Sequence, residues 1–157
     1  MLKNLQQSLN YVFIEEGGFS DRAEEPGGGV NKGVSLLVYA EFRKKKGLSA
    51  PTLATLRDIT TTEATVIYKT AYWDRMHCDV LSRGVDYMVF DMAVMDGVAG
   101  ATALLNLAHA DDVTRTLENL RMVRIAKKMG SKSWTKFGLS WTNRINRTLD
   151  RAKQMAA

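Results

Sequence analysis

The feature that most constrains this chain is an apolar helical stripe that runs into two glutamates and stops at two glycines. Leu5, Leu9, Val12 and Phe13 recur at the spacing of one face of an α-helix. Glu16 follows Leu5 by eleven residues, and at about 100° per residue eleven steps return to within roughly 20° of the same direction. Glu16 is therefore expected to point with the core-facing leucines, and Glu15 toward water. Gly17-Gly18 ends the helix, because glycine takes the left-handed conformation that a C-terminal cap needs. A carboxylate aimed inward at the last turn stands beside the negative end of the helix dipole, and dipole and partial burial both oppose its charge. That is the setting in which a general acid is made.

The stretch that follows holds two more carboxylates, Asp21 and Glu25, then Pro26-Gly27-Gly28-Gly29, then Asn31 and Ser35. Small polar groups after a glycine turn suit a substrate-lining loop or a small β-hairpin. Only residues 18–35 are irregular enough for such turns. Elsewhere the pattern is helical: Ser35 to Lys46, a helix from the capping box Thr60–Glu63 through Tyr72-Trp73, and Gly84 to Met95 broken at Gly97. Short Ala99–Leu107, a helix capped by Asp111 or Asp112 and closed by Gly130, and Leu139–Lys153 complete the set.

At 157 residues with 45% apolar composition the chain makes one domain, or one domain with an appendage. No apolar run approaches the roughly 18 residues of a membrane span, and the N-terminus has no signal-peptide block. The expectation is synthesis in the cytosol, without stable membrane insertion, as a monomer. One cysteine, Cys78, excludes an internal disulfide, and two histidines with that cysteine make a Cys/His zinc site improbable. Gly27–Gly33 is not a phosphate loop, since its lysine precedes the last glycine and no strand leads in. The net charge of +5 argues for an anionic partner. No nucleic-acid-binding fingerprint accompanies the basic runs, so an anionic envelope polymer is expected rather than nucleic acid. Arg144, Arg147 and Arg151 recur at three and four and are expected to form its contact face.

Several motifs in order resemble one family. Glu16-Gly17-Gly18-Phe19, Asp21, Pro26-Gly27-Gly28, Asn31 and Gly33-Val34-Ser35 resemble the opening signature of glycoside hydrolase family 108 muramidases, which are phage endolysins and related bacterial lysozymes. Ile59-Thr60, Ala64, Ile67-Tyr68 and Tyr72-Trp73 resemble the family's helix ending in Tyr-Trp. Val89–Val94 is similar to its Phe-Asp-Phe-Ala-Val-Asn helix, and Trp141-Thr142-Asn143-Arg144-Ile145 to its Trp-x-x-Arg-Val close. The strong part covers residues 5–108. The chain departs from the pattern at Val30, where the family has threonine, and at Met95-Asp96-Gly97, where it has Asn-Ser-Gly. The segment from Leu107 to Arg121 is shorter than the family's usual peptidoglycan-binding portion.

The resemblance implies a mainly α, lysozyme-like helical domain with a small irregular or hairpin segment after the first helix. It implies a catalytic part at 1–108 and a C-terminal helical part at 109–157, packed into the same unit. It further implies cleavage of the β-1,4 bond between N-acetylmuramic acid and N-acetylglucosamine in peptidoglycan, with Glu16 as the acid. No metal or cofactor is called for. The second carboxylate of a two-carboxylate mechanism is Asp21 or Glu25. Asn31, Ser35, Tyr72 and Trp73 are candidates for substrate contact, although Tyr39, Tyr68, Tyr72 and Trp73 at helical spacing also suit a core. An endolysin of this kind waits in the host cytoplasm and reaches the wall after holin-type release. The rival readings are a lytic transglycosylase acting on the same bond and a non-catalytic peptidoglycan-binding or virion module.

Overall fold

The computed structural model describes the backbone of residues 2–21 and 29–157, so Glu25 and the Pro26-Gly27-Gly28 turn lie outside the described residues. Among these the chain is mainly helical, with one two-stranded hairpin. It divides into two compact units, one of residues 9–70 and one of residues 1–8 with 71–157. The segment 109–157 thus shares a unit with 71–108, and the first half of the N-terminal helix joins that unit too.

The 9–70 unit contains most of the opening motif. Helix α1 (Leu2–Glu16) enters it, with Leu9 and Val12 fully buried as the stripe requires. Strands β1 (Val30–Asn31) and β2 (Val34–Ser35) pair antiparallel, Val30 opposite Ser35 and Asn31 opposite Val34. Helix α2 (Leu36–Lys45) starts at Ser35, whose hydroxyl accepts from the Val38 N–H at 3.3 Å. Arg43, Lys44 and Lys45 fill its last turn, where cations face the negative end of the dipole. Helix α3 (Leu53–Arg57), which the periodicity does not foretell, is one and a half turns begun by a Thr52–Thr55 capping box. Helix α4 (Thr61–Tyr68) begins with the expected box: Thr60 N–H donates to Glu63 Oε2 at 3.0 Å, and Glu63 N–H to Thr60 Oγ1 at 3.1 Å. That backbone N–H of Thr60 is the main reason the Glu63 carboxyl lies below the usual range. The helix loosens into a π-turn at Lys69–Trp73.

The second unit is built on three helices, α5 (Val85–Ala108), α6 (Val113–Met129) and α7 (Trp134–Ala156), each in contact with the other two. Asp112 caps α6 by accepting the Arg115 N–H at 2.8 Å. Helix α5 absorbs both helices expected on either side of Gly97, which adopts φ 73° and ψ 159° and kinks it. Over its 24 residues α5 is long and apolar enough to cross a membrane, contrary to the expectation from the apolar runs. Its first nine residues, Val85 to Ala93, are all buried, and they include Asp86 and Asp91, so it is read as a core helix. Helix α7 starts five residues earlier than the apolar pattern suggests, because Trp134 and Phe137 precede Leu139 on it.

Two family motifs meet in this core. Asp91 Oδ2 accepts from Arg124 Nη2 at 3.0 Å and Asp91 Oδ1 from Arg144 Nη2 at 2.9 Å, while the Thr148 hydroxyl reaches Oδ2 at 3.2 Å. Burial pushes the Asp91 carboxyl up, but the two guanidinium groups outweigh it and hold the carboxyl below its ordinary range. The expected Arg144/Arg147/Arg151 contact face is corrected by this geometry. Arg144 is buried and committed to Asp91, so it is not on an outward basic face. Tyr87 beside this network is pushed up to about 12, chiefly by burial.

Candidate active site

Glu16 is the last residue of α1. Gly17 follows at φ +72° and donates its N–H to Phe13 O at 3.3 Å, which ends the helix as the two glycines predict. The chain then returns so that Ser20 and Val30 exchange two backbone hydrogen bonds, of 2.7 and 2.6 Å. Val30 pairs on its other side with Ser35, so three short extended segments lie side by side. The Arg57 guanidinium lies over the Phe19 ring, 4.6 Å from its centre, and braces the returning loop.

The turn between β1 and β2 is Lys32-Gly33. Both residues have positive φ, +49° and +73°, as a type I′ hairpin turn requires. Gly33 is needed for a second reason. A Cβ there would stand 2.7 Å from Glu16 Cγ and 2.8 Å from Glu16 Oε2, and would collide with the Tyr68 hydroxyl. The Glu16 carboxylate therefore rests against bare backbone, with the Tyr68 hydroxyl beside the same point. Tyr68 donates that hydroxyl to Lys32 O at 3.0 Å, and Phe13 meets its ring edge-on at 5.4 Å. Lys32 Nζ donates in turn to Ile59 O at 3.2 Å. One oxygen of Glu16, Oε1, is shielded from solvent. Glu15 and Glu16 are both half-buried, so the full turn of Glu15 toward water is only partly realised.

The other candidates fall in several places. Asp21 is exposed and directly follows the Ser20 bridge, on the same loop as Glu16. Glu25 lies outside the described residues. Asn31 is buried, and its amide donates to Leu56 O at 3.1 Å and Arg57 O at 2.7 Å, tying the hairpin to the end of α3. Ser35 caps α2. Trp73 is buried, donates Nε1–H to Asp79 Oδ1 at 3.1 Å and meets Phe90 edge-on, so its ring is core of the second unit. Tyr72, half-buried, belongs to that second unit as well. Tyr39 and Tyr68 are buried too.

Three residues acquire tasks that reading the sequence did not give them. Gly33 forms the seat of Glu16, Lys32 takes the left-handed turn position, and Tyr68 holds the turn. The signal for the first two was present, since Lys-Gly between Val30-Asn31 and Val34-Ser35 is a two-residue hairpin pattern.

The model of the family described as glycosyl hydrolase 108 matches residues 9–97, which contain every residue of this constellation. The structure of Brucella abortus SagA superposes with a TM-score of 0.84, at 27% identity, covering 99% of this chain and 97% of that one. Among curated proteins no significant match is found.

Proposed function

Because the chain belongs to the glycosyl hydrolase 108 family, it is a glycoside hydrolase by family, and we propose that it is a muramidase. Its substrate in this reading is peptidoglycan, cut at the β-1,4 bond between N-acetylmuramic acid and N-acetylglucosamine. The observation that carries the reading is the seat of Glu16: a helix-terminal carboxylate laid against the glycine of a tight turn, one oxygen screened from water. Such an acid can protonate the leaving glycosidic oxygen while its own position is fixed by backbone. Asp21, on the loop that leaves Glu16, and Glu25 are the candidates for the second carboxylate, which activates water or forms the glycosyl adduct. Asn31, Ser35 and Tyr68 act as positioning residues. Biologically the reading is an endolysin that lyses its host from within.

Product analysis tests the reaction. Purified peptidoglycan incubated with the protein is expected to release muropeptides with reducing N-acetylmuramic acid ends, read by mass spectrometry. Anhydro ends would assign a lytic transglycosylase, and no release a non-catalytic module. The lysis role is tested in cells: cytoplasmic expression alone is expected to leave them intact, and chloroform or a holin to trigger clearing. Spontaneous lysis, with the protein in the periplasm, would refute it.

A further inference from the structure

The hairpin of α6 and α7 is unlike the rest of the chain in charge. From Asn119 to Leu149 there are eight Lys and Arg and no Asp or Glu, against 22 and 17 in the whole chain. The net positive charge therefore resides here, and the remainder is net negative. Arg124 and Arg144 are spent inside on Asp91, and Lys128 pairs with Asp96 at 2.7 Å. Lys132 and Lys136, at the corner between the helices, are exposed and make no ion pair among the described residues.

Aromatic side chains stand beside these cations. The stripe of α7 buried at Ile145, Leu149 and Ala152 continues toward its N-terminus as Trp141, Phe137 and Trp134, where its cover thins. Phe137 is 40% exposed, Met129 at the end of α6 58%, and Leu139 on the outward flank of the same turn 78%. The rings form one cluster, Trp134 to Trp141 at 6.5 Å and Phe137 to Trp141 at 5.8 Å between centres. Gly138 makes the cluster possible, because a Cβ there would stand 2.8 Å from the Trp134 indole. Lys128 Nζ lies over the Trp141 ring and Lys136 Nζ over the Phe137 ring, each at 5.0 Å.

We propose that this corner is a peripheral docking surface for an anionic lipid bilayer. Two observations select lipid over a glycan or a nucleic acid. Sugars and bases bind aromatic residues by stacking on ring faces, and here Lys128 stands over one face of Trp141 and Lys136 over one face of Phe137. A hydrophilic polymer would also leave Phe137, Met129 and Leu139 in water, whereas the headgroup–acyl boundary takes apolar side chains and lysines together. The contact is interfacial: α7 stays packed on α5 and α6, and only its aromatic end and the flanking lysines enter the headgroup layer.

The full chain is tested by sedimentation with vesicles of phosphatidylcholine alone and of equal parts phosphatidylcholine and phosphatidylglycerol. Binding to the anionic vesicles only is expected, weakening as salt rises, with a blue shift of tryptophan emission from Trp134 and Trp141. A lysine near an anionic surface contributes about fivefold in binding. Lys132→Glu with Lys136→Glu is therefore expected to weaken binding about 25-fold or more. Phe137→Ser should reduce the blue shift. All these variants change exposed residues outside the Glu16 seat, so clearing of lipid-free peptidoglycan is expected to stay at the parent rate, whatever becomes of the muramidase reading. Equal binding to both vesicles, or no effect of the charge reversals, overturns the proposal. So does failure to bind vesicles while purified walls or duplex DNA are bound and lost with the same variants, which would name those polymers as the occupant.

Discussion

Gly33→Ala separates a glycine needed for its backbone from one needed for the space it leaves. Gly17, Gly33 and Gly47 share the left-handed conformation, at φ +72°, +73° and +69°. Alanine in that region costs about 1–2 kcal/mol from the clash of Cβ with its own backbone. At Gly17 and Gly47 nothing lies within 4 Å of the added atom, so that is the whole expected cost. At Gly33 the new Cβ meets Glu16 Cγ at 2.7 Å and Oε2 at 2.8 Å, and the Tyr68 hydroxyl. Forcing packed atoms apart adds about 1–3 kcal/mol. Gly33→Ala is thus expected to lose about 2–5 kcal/mol in urea unfolding, against about 1–2 kcal/mol for Gly47→Ala. The atoms that must yield include the acid itself, whose flexible end can swing aside. Displacing a catalytic group by about 1 Å can cost on the order of a hundredfold in rate. Peptidoglycan clearing should therefore fall about a hundredfold in Gly33→Ala, more than its folded fraction explains, and survive in Gly47→Ala. Equal stability losses with clearing kept in both variants would refute the seating of Glu16 on this turn.

Four further substitutions test the rest. Glu16→Gln should abolish clearing with little change in unfolding, since glutamine keeps the shape without a proton to deliver; clearing at near the parent rate would remove Glu16 from the role of acid. Glu15→Gln should keep substantial activity, and equal losses at both positions would refute the helical-face argument. Tyr68→Phe removes the hydrogen bond to Lys32 O, for about 1 kcal/mol of stability, and should lower kcat with little change in KM if the turn positions the acid. Asp91→Asn leaves Arg124 and Arg144 buried without their counter-charge and should cost about 3–5 kcal/mol by thermal or urea unfolding. The sign with pH follows from the lowered carboxyl. Unfolded, Asp91 titrates near its ordinary value of about 3.9, and folded below it, so its stabilisation is full above about pH 4 and is lost as pH falls through the folded value. Acid unfolding of the parent should be steeper there than that of Asp91→Asn.

The helical frame was legible because its signals are local. The α1 stripe, the Thr60–Glu63 box, the Asp112 cap and the Gly17 and Gly97 breaks each depend on residues within a turn or two of one another. Helix α3 escaped because five residues are too few for a period, and its start rests on two threonines bonding each other. The N-terminal turns of α7 escaped because glycine and polar residues interrupt the apolar pattern there. Arg144 was misplaced for a different reason. Spacing assigns it a side of its helix, but only the fold shows that this side meets Asp91, fifty-three residues earlier in the chain. Trp73 shows the same limit, since periodicity cannot tell a ring that stacks on a ligand from one that packs on Phe90.

The site divides along the same line. Glu16 could be named from its position on α1, yet what fixes its carboxylate is a turn seventeen residues later in the chain and a tyrosine beyond that. Asn31 and Ser35 read as small polar groups suited to a substrate-lining loop. In the fold Asn31 clamps the end of α3 and Ser35 caps α2, while Gly33 between them is a turn that admits no side chain. The departures from the family pattern take on a different weight in consequence. Val30 replaces a threonine where the backbone carries the function, pairing with Ser20 on one side and Ser35 on the other, and valine suits an extended segment as well as threonine does. Asp96 brings a carboxylate to the kink of α5, and Lys128 meets it at 2.7 Å. Neither change disturbs the contact between Gly33 and Glu16. A motif of this kind is held to its residues by the geometry that aims one carboxylate, so positions such as Val30, where only the backbone is used, are the ones free to vary.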